Sequence, residues 1–135
     1  VALRGLDILE MKKKHTPLVI SLFSPSVKIV IYQTDNLVRF VTQFIREHKL
    51  EGTYSVPPDH CDGVVLRDLE AHEKNVIYVV LEGKVRLSTI AHEAYHVAYK
   101  VNEAFDIHSE EFVAYLTGNL TEAIVDWLKT KRNPK

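Results

Sequence analysis

The string His92-Glu93-Ala94-Tyr95-His96 carries the clearest chemistry in this sequence. On a helix, residues four apart lie about one turn apart on one face, so both imidazoles of an H-E-x-x-H string can point at a single metal ion. Zinc suits such a pair. It prefers nitrogen and sulfur ligands with a carboxylate as third partner, and a catalytic site needs three protein ligands and one open position. Glu93 adds a carboxylate beside the pair, able to take a proton from metal-activated water and return it to a leaving amine. A third ligand must come from elsewhere, and Glu110 and Glu111 follow after the short connection Asp106-Ile-His-Ser109. Without a metal, His92, Glu93 and His96 would be a solvated helix face opposite an apolar stripe of Ile90, Ala94, Val97 and Val101.

Such a site needs rigid elements, and the hydrophobic pattern supplies them. The β-branched runs Leu18–Phe23 and Val27–Tyr32, separated by Ser24-Pro25-Ser26, predict a hairpin or two successive strands. Asp35 can cap a helix whose apolar residues Leu37, Val38, Val41, Phe44 and Ile45 share one face and which ends near Lys49. Residues 51–63 read as a loop, Gly63–Leu66 and Val76–Leu81 as strands, and Glu82-Gly83 as a turn. Ser88 or Thr89 caps the helix that carries the histidines, running to about Glu103. Ser109, with Glu110 and Glu111 at the positive end of the dipole, opens a last helix with Phe112, Val113, Leu116, Leu120, Ile124 and Trp127. Gly118 inside that helix predicts a close helix contact or a break. Strands first and helices last give an α+β fold.

Composition bounds the function from outside. A chain of 135 residues that is 46% hydrophobic and 26% charged, without a repeat or linker, reads as a single domain spanning 1–135. Lys+Arg 17 against Asp+Glu 18 gives no global attraction to nucleic acid or an anionic membrane. The longest apolar runs are strand-sized, well short of the roughly 20 residues of a membrane span. The lone Cys61 forms no intrachain disulfide, and no signal peptide is legible at the N-terminus, so the expected setting is cytoplasmic. Asp59-His60-Cys61-Asp62 and Glu70-Ala-His72-Glu73-Lys-Asn75 read as polar loops, and Lys12-Lys13-Lys14-His15 as a solvated basic face.

Thr89-Ile-Ala-His-Glu-Ala-Tyr-His-Val-Ala98, followed by Glu111-Phe-Val-Ala114-Tyr115, resembles the small zincin-like metallopeptidases of the gluzincin type, short versions of which are encoded by bacteriophages and prophages. The resemblance covers roughly residues 88–120. It implies a zinc-dependent hydrolase in which the motif helix and the following C-terminal helix form the metal site against a small twisted sheet. The metal would be held by His92, His96 and a glutamate of the next helix with a small residue three positions later. Glu111 with Ala114 matches that spacing and Glu110 does not. It also implies a His or Tyr near the third ligand as oxyanion donor, for which His108, Tyr115 and Tyr95 qualify. Related gluzincins often carry Asp or Asn four residues after the ligating glutamate, where this chain has Tyr115, so its support of the ligands differs. The substrate would be a peptide or protein laid along an edge strand, Gly63–Leu66 or Val76–Leu81. The rival expectation is a zincin-like metal-binding domain that holds a partner without cutting it.

Overall fold

The computed structural model describes residues 16–23, 27–48, 61–67 and 76–132. The turn at Ser24–Ser26, the residues around Lys12–His15, most of the 51–63 loop with Asp59 and His60, and the Glu70–Asn75 segment lie outside them. The fold is α+β, with a four-stranded mixed sheet and three helices among the described residues. The chain divides into two compact units, one up to Lys84 and one from Val85.

The first unit holds strands β1 (Leu18–Leu22) and β2 (Val27–Thr34), helix α1 (Leu37–Glu47), and strands β3 (Gly63–Arg67) and β4 (Val76–Glu82). Each of the four expected apolar runs forms a strand. Their order in the sheet is β1-β2-β4-β3, with β1 antiparallel to β2, β2 parallel to β4, and β3 antiparallel to β4. β4 is therefore an interior strand. Of the two segments expected as the peptide-binding edge, Gly63–Leu66 or Val76–Leu81, the second is hydrogen-bonded on both sides, and among the described residues the first lies at an edge.

Residue alternation sorts the two faces of the sheet. Tyr32, Leu66 and Val80 form one core with Leu37, Phe40, Val41, Phe44 and Ile45 of α1. Ile29, Ile31, Val79 and Leu81 point to the other face and are 1% exposed or less. Burial on both faces explains why β2 and β4 are nearly unbroken apolar runs, as expected of a parallel pair. The outer strand β1 instead alternates, with Val19 52% exposed.

The start of α1 corrects the expected cap. Asn36, not Asp35, is the N-cap: its side chain accepts the Arg39 N–H at 3.1 Å, and its own N–H is taken by Thr34 Oγ1 at 3.2 Å. Glu82 Oε2 accepts the Leu37 N–H at 3.0 Å, so a carboxylate from the end of β4 satisfies another orphan donor of the first turn. Phe40, absent from the expected face, is 2% exposed and packs against Tyr32 and Phe44.

The second unit holds helices α2 (Leu87–Ala104) and α3 (Glu110–Arg132), which pack against each other. α2 begins at Leu87 with Arg86 at the N-cap and no side-chain cap. Neither Ser88 nor Thr89 serves, because the Arg86 carbonyl already accepts the Thr89 and Ile90 N–H groups at 3.0 and 3.1 Å. The buried residues of α3 are Leu116, Leu120, Ile124 and Leu128, a stripe at intervals of four. Gly118 produces neither expected effect: the helix runs through it unbroken, and a Cβ there would meet nothing within 4 Å. Gly118→Ala is therefore expected to stabilise the protein by about 1 kcal/mol, the helix-propensity difference, read as a raised midpoint in chemical denaturation. An unchanged or lowered midpoint would contradict the open surroundings.

Candidate metal centre

α2 presents its residues as two bands. Ile90, Ala94, Val97, Ala98 and Val101 are buried to 3% exposure or less, while His92 and His96 lie on the exposed side. Glu93 belongs with the buried band, in the row Thr89, Glu93, Val97. The three motif residues are thus not a common solvated face. The His92 side chain is 66% exposed and that of Glu93 only 7%.

The two imidazoles converge. Their Nε2 atoms are 3.0 Å apart, one donating and the other accepting according to tautomer, and the rings stand nearly perpendicular at 84°. Two nitrogens on a tetrahedral zinc at ordinary bond lengths sit roughly 3.3 Å apart, so the pair already has nearly the bite of a metal site. Glu93 Oε1 lies 3.9 Å from His92 Nε2. His92, Glu93 and His96 each place a ligand atom within 4.8 Å of the others, a donor set that fits a divalent ion. The His96 pKa is lowered, by burial first and then by His92 and Lys100. A lowered pKa keeps the ring neutral, with its lone pair available, to lower pH than an isolated histidine.

The connection between α2 and α3 is tightly specified. Asp106 adopts φ 53°, the left-handed conformation that usually falls to glycine at a helix end. Its N–H bonds Glu103 O at 3.1 Å and the Ile107 N–H bonds Asn102 O at 3.0 Å, the paired bonds of a Schellman motif. His108 also has φ 53° and pairs with the Asp106 carboxylate. The Ser109 N–H is held by Asn102 Oδ1 at 3.1 Å, and Ser109 Oγ accepts the Phe112 N–H at 3.1 Å, so Ser109 caps α3 as expected. Ser109→Ala is expected to cost about 1 kcal/mol of stability, measured by denaturation, and a loss below a few tenths would show the cap to be idle.

This turn also governs where the carboxylates stand. Glu110 and Glu111 are both exposed in the first turn of α3, and neither belongs to the group of three donors found among the described residues. Asn102, tied to Ser109, lies six residues beyond His96, which is about 9 Å along the helix axis. Tyr95 and Tyr99 are instead matched by Val113, Ala114 and Thr117, with which they line a groove of about 550 Å³. His108 lines the same groove, whereas Tyr115 is 70% exposed and outside it. Tyr95 and Tyr115 therefore do not bury their rings, the ordinary role for tyrosine, Tyr95 being 47% exposed.

Comparisons with protein families, with curated proteins and with solved structures return no match for this chain. The chemistry of the site thus rests on its own geometry. Tyr99, which the sequence reading did not single out, is 47% exposed and stacks on Tyr95 with ring centroids 6.1 Å apart. The signal was its spacing of four from Tyr95 on the side of α2 away from the apolar stripe. Cys61 is half-buried against the α1 core with its thiol directed to Gly63 O at 3.2 Å, a packing role. Among the described residues, no helix is long and apolar enough to cross a membrane.

Proposed function

We infer that the protein is a zinc-dependent peptidase of zincin-like type, acting on peptide or protein substrates. The observation that carries this reading is the pairing of two exposed imidazoles, 3.0 Å apart, with a largely buried carboxylate in the adjacent position of one helix. A purely structural histidine pair has no need of that acid. His92 and His96 would hold the ion, with Glu111 as the proposed third ligand. When bound, zinc would supply a Lewis acid that polarises the scissile carbonyl and acidifies water.

Glu93 does the proton chemistry in this scheme, taking a proton from the attacking water and delivering it to the departing amine. Its burial holds the carboxylate in one position and keeps bulk water from competing for the proton. His108, oriented by Asp106, is the better placed candidate to donate a hydrogen bond to the developing oxyanion, since it lines the groove that Tyr95 also lines. Tyr115 is the second candidate.

One observation favours a second reading, a metal-binding domain that does not cut. Glu111 stands outside the donor group, leaving two nitrogens and the carboxylate of Glu93, which as a ligand would no longer serve as base. Incubation of zinc-loaded protein with a reduced, unfolded protein substrate separates the two. Fragments that disappear when a chelator is added support the peptidase, and zinc uptake without fragments supports the second reading.

A further inference from the structure

We propose that the groove between α2 and α3 is a subsite for a basic side chain of the substrate, arginine in preference to lysine. The proposal rests on the peptidase reading only in calling the bound molecule a substrate; the recognition itself belongs to the groove.

Its position comes first. Tyr95 lines the groove and its ring centroid is 6.0 Å from that of His96, so the groove begins one side chain away from the histidine pair. A peptide held at the pair would have a neighbouring side chain within reach of it.

Its chemistry then selects the occupant. One wall is the stacked pair Tyr95 and Tyr99, both about half exposed, with ring planes 26° apart. Val113 and Ala114 supply aliphatic surface, and Glu110 brings a carboxylate to the lining. Glu103 raises the pKa of Tyr99 but does not line the groove, so among the described residues Glu110 is the carboxylate that an occupant meets. Among the described residues no lysine or arginine lines it; His108, which does, is paired with the Asp106 carboxylate, and Lys100, the cation nearest in sequence, acts on His96. A planar guanidinium on an aliphatic stem meets all three demands: it stacks on aromatic faces, pairs with a carboxylate and lays its methylenes on apolar surface. A lysine ammonium meets the charge but stacks less well. A leucine or phenylalanine would leave the Glu110 carboxylate without a partner from the substrate.

The test uses blocked tripeptides, acetyl-Ala-X-Ala-amide, titrated into the isotope-labelled full chain and followed by amide chemical shifts. The peptides carry arginine, its neutral isostere citrulline, or leucine at X. Arginine is expected to shift Tyr95, Tyr99, Val113 and Ala114 saturably and to bind at least fivefold more tightly than citrulline or leucine. Glu110→Gln is expected to abolish the gap between arginine and citrulline, and Tyr99→Leu to weaken arginine binding severalfold. Both residues are surface positions, and unchanged spectra away from the groove verify folding. Leucine binding as tightly as arginine, shifts that miss the groove, or a gap that survives Glu110→Gln would overturn the proposal. Binding is read without hydrolysis. Failure to cleave any substrate thus leaves this result standing, and failure to bind arginine leaves the metal centre untouched.

Discussion

Glu93→Gln is expected to retain zinc at the wild-type level and to lose peptide hydrolysis by a factor of at least 100 and up to about 10,000, the usual contribution of a general acid–base residue. The substitution is nearly isosteric. It keeps a hydrogen-bonding side chain at a position that is only 6% exposed, where alanine would open a cavity as well as remove the acid. Glutamine cannot accept and return a proton, so the change isolates the proton-transfer role from packing. The measurements are kcat/KM on an unfolded protein substrate and metal content by elemental analysis, with the thermal midpoint as a control on folding. Retained hydrolysis in the metal-loaded variant would remove Glu93 from the mechanism. Loss of zinc together with activity would instead make Glu93 a ligand, in agreement with its place among the three clustered donors.

The second large effect concerns the metal itself. About one zinc per chain is expected in the wild type, and none in His92→Ala or His96→Ala, because either change leaves a single imidazole on the helix. Bound metal stabilises the folded state by mass action. With free zinc at a hundredfold over its dissociation constant the gain is about 3 kcal/mol, which a chelator should remove from the wild type and should not affect in the two variants. Both histidines are exposed, so their removal costs little core packing and the comparison stays clean. Glu111→Ala reports on the third position. Loss of zinc there would mean that the first turn of α3 closes on the ion, drawing in a side chain that stands outside the donor group. Zinc retained in Glu111→Ala but lost in Glu110→Ala would exchange the two carboxylates. Zinc retained in both would leave the ligand set to His92, His96 and Glu93. A wild-type protein that takes up no zinc would reduce the histidine pair to a hydrogen-bonded surface feature and end the peptidase reading.

The elements were legible in the sequence because their signals are local. The strands β1 to β4 are short β-rich runs bounded by turn residues, and the helices follow a three-and-four apolar spacing that the burial of Val41, Phe44, Ala94 and Val101 bears out. The motif pair was legible for the same reason: a spacing of four on a helix fixes the relation of His92 to His96 with no help from the rest of the chain. Ser109 was legible as the cap of α3, but the caps of α1 and α2 were misjudged by a residue or more, since Asn36 and Arg86 are chosen by which carbonyl and carboxylate groups happen to be in place, among them Glu82 from a strand far along the chain.

What lay beyond the sequence depends on contacts between elements. Among the described residues, strand order placed β4 inside the sheet and left β3 at its edge, which neither strand's own composition decides, because pairing is settled by hydrogen bonding across strands. The packing of α3 on α2 decided that Gly118 faces open space, that Glu111 stands apart from the histidines, and that Tyr95 and Tyr99 share a groove with Val113 and Ala114. Sequence spacing specifies which residues share one face of one helix. Where a second helix lies against that face is set by side-chain packing and by the Asp106 and Asn102 hydrogen bonds of the turn that joins them.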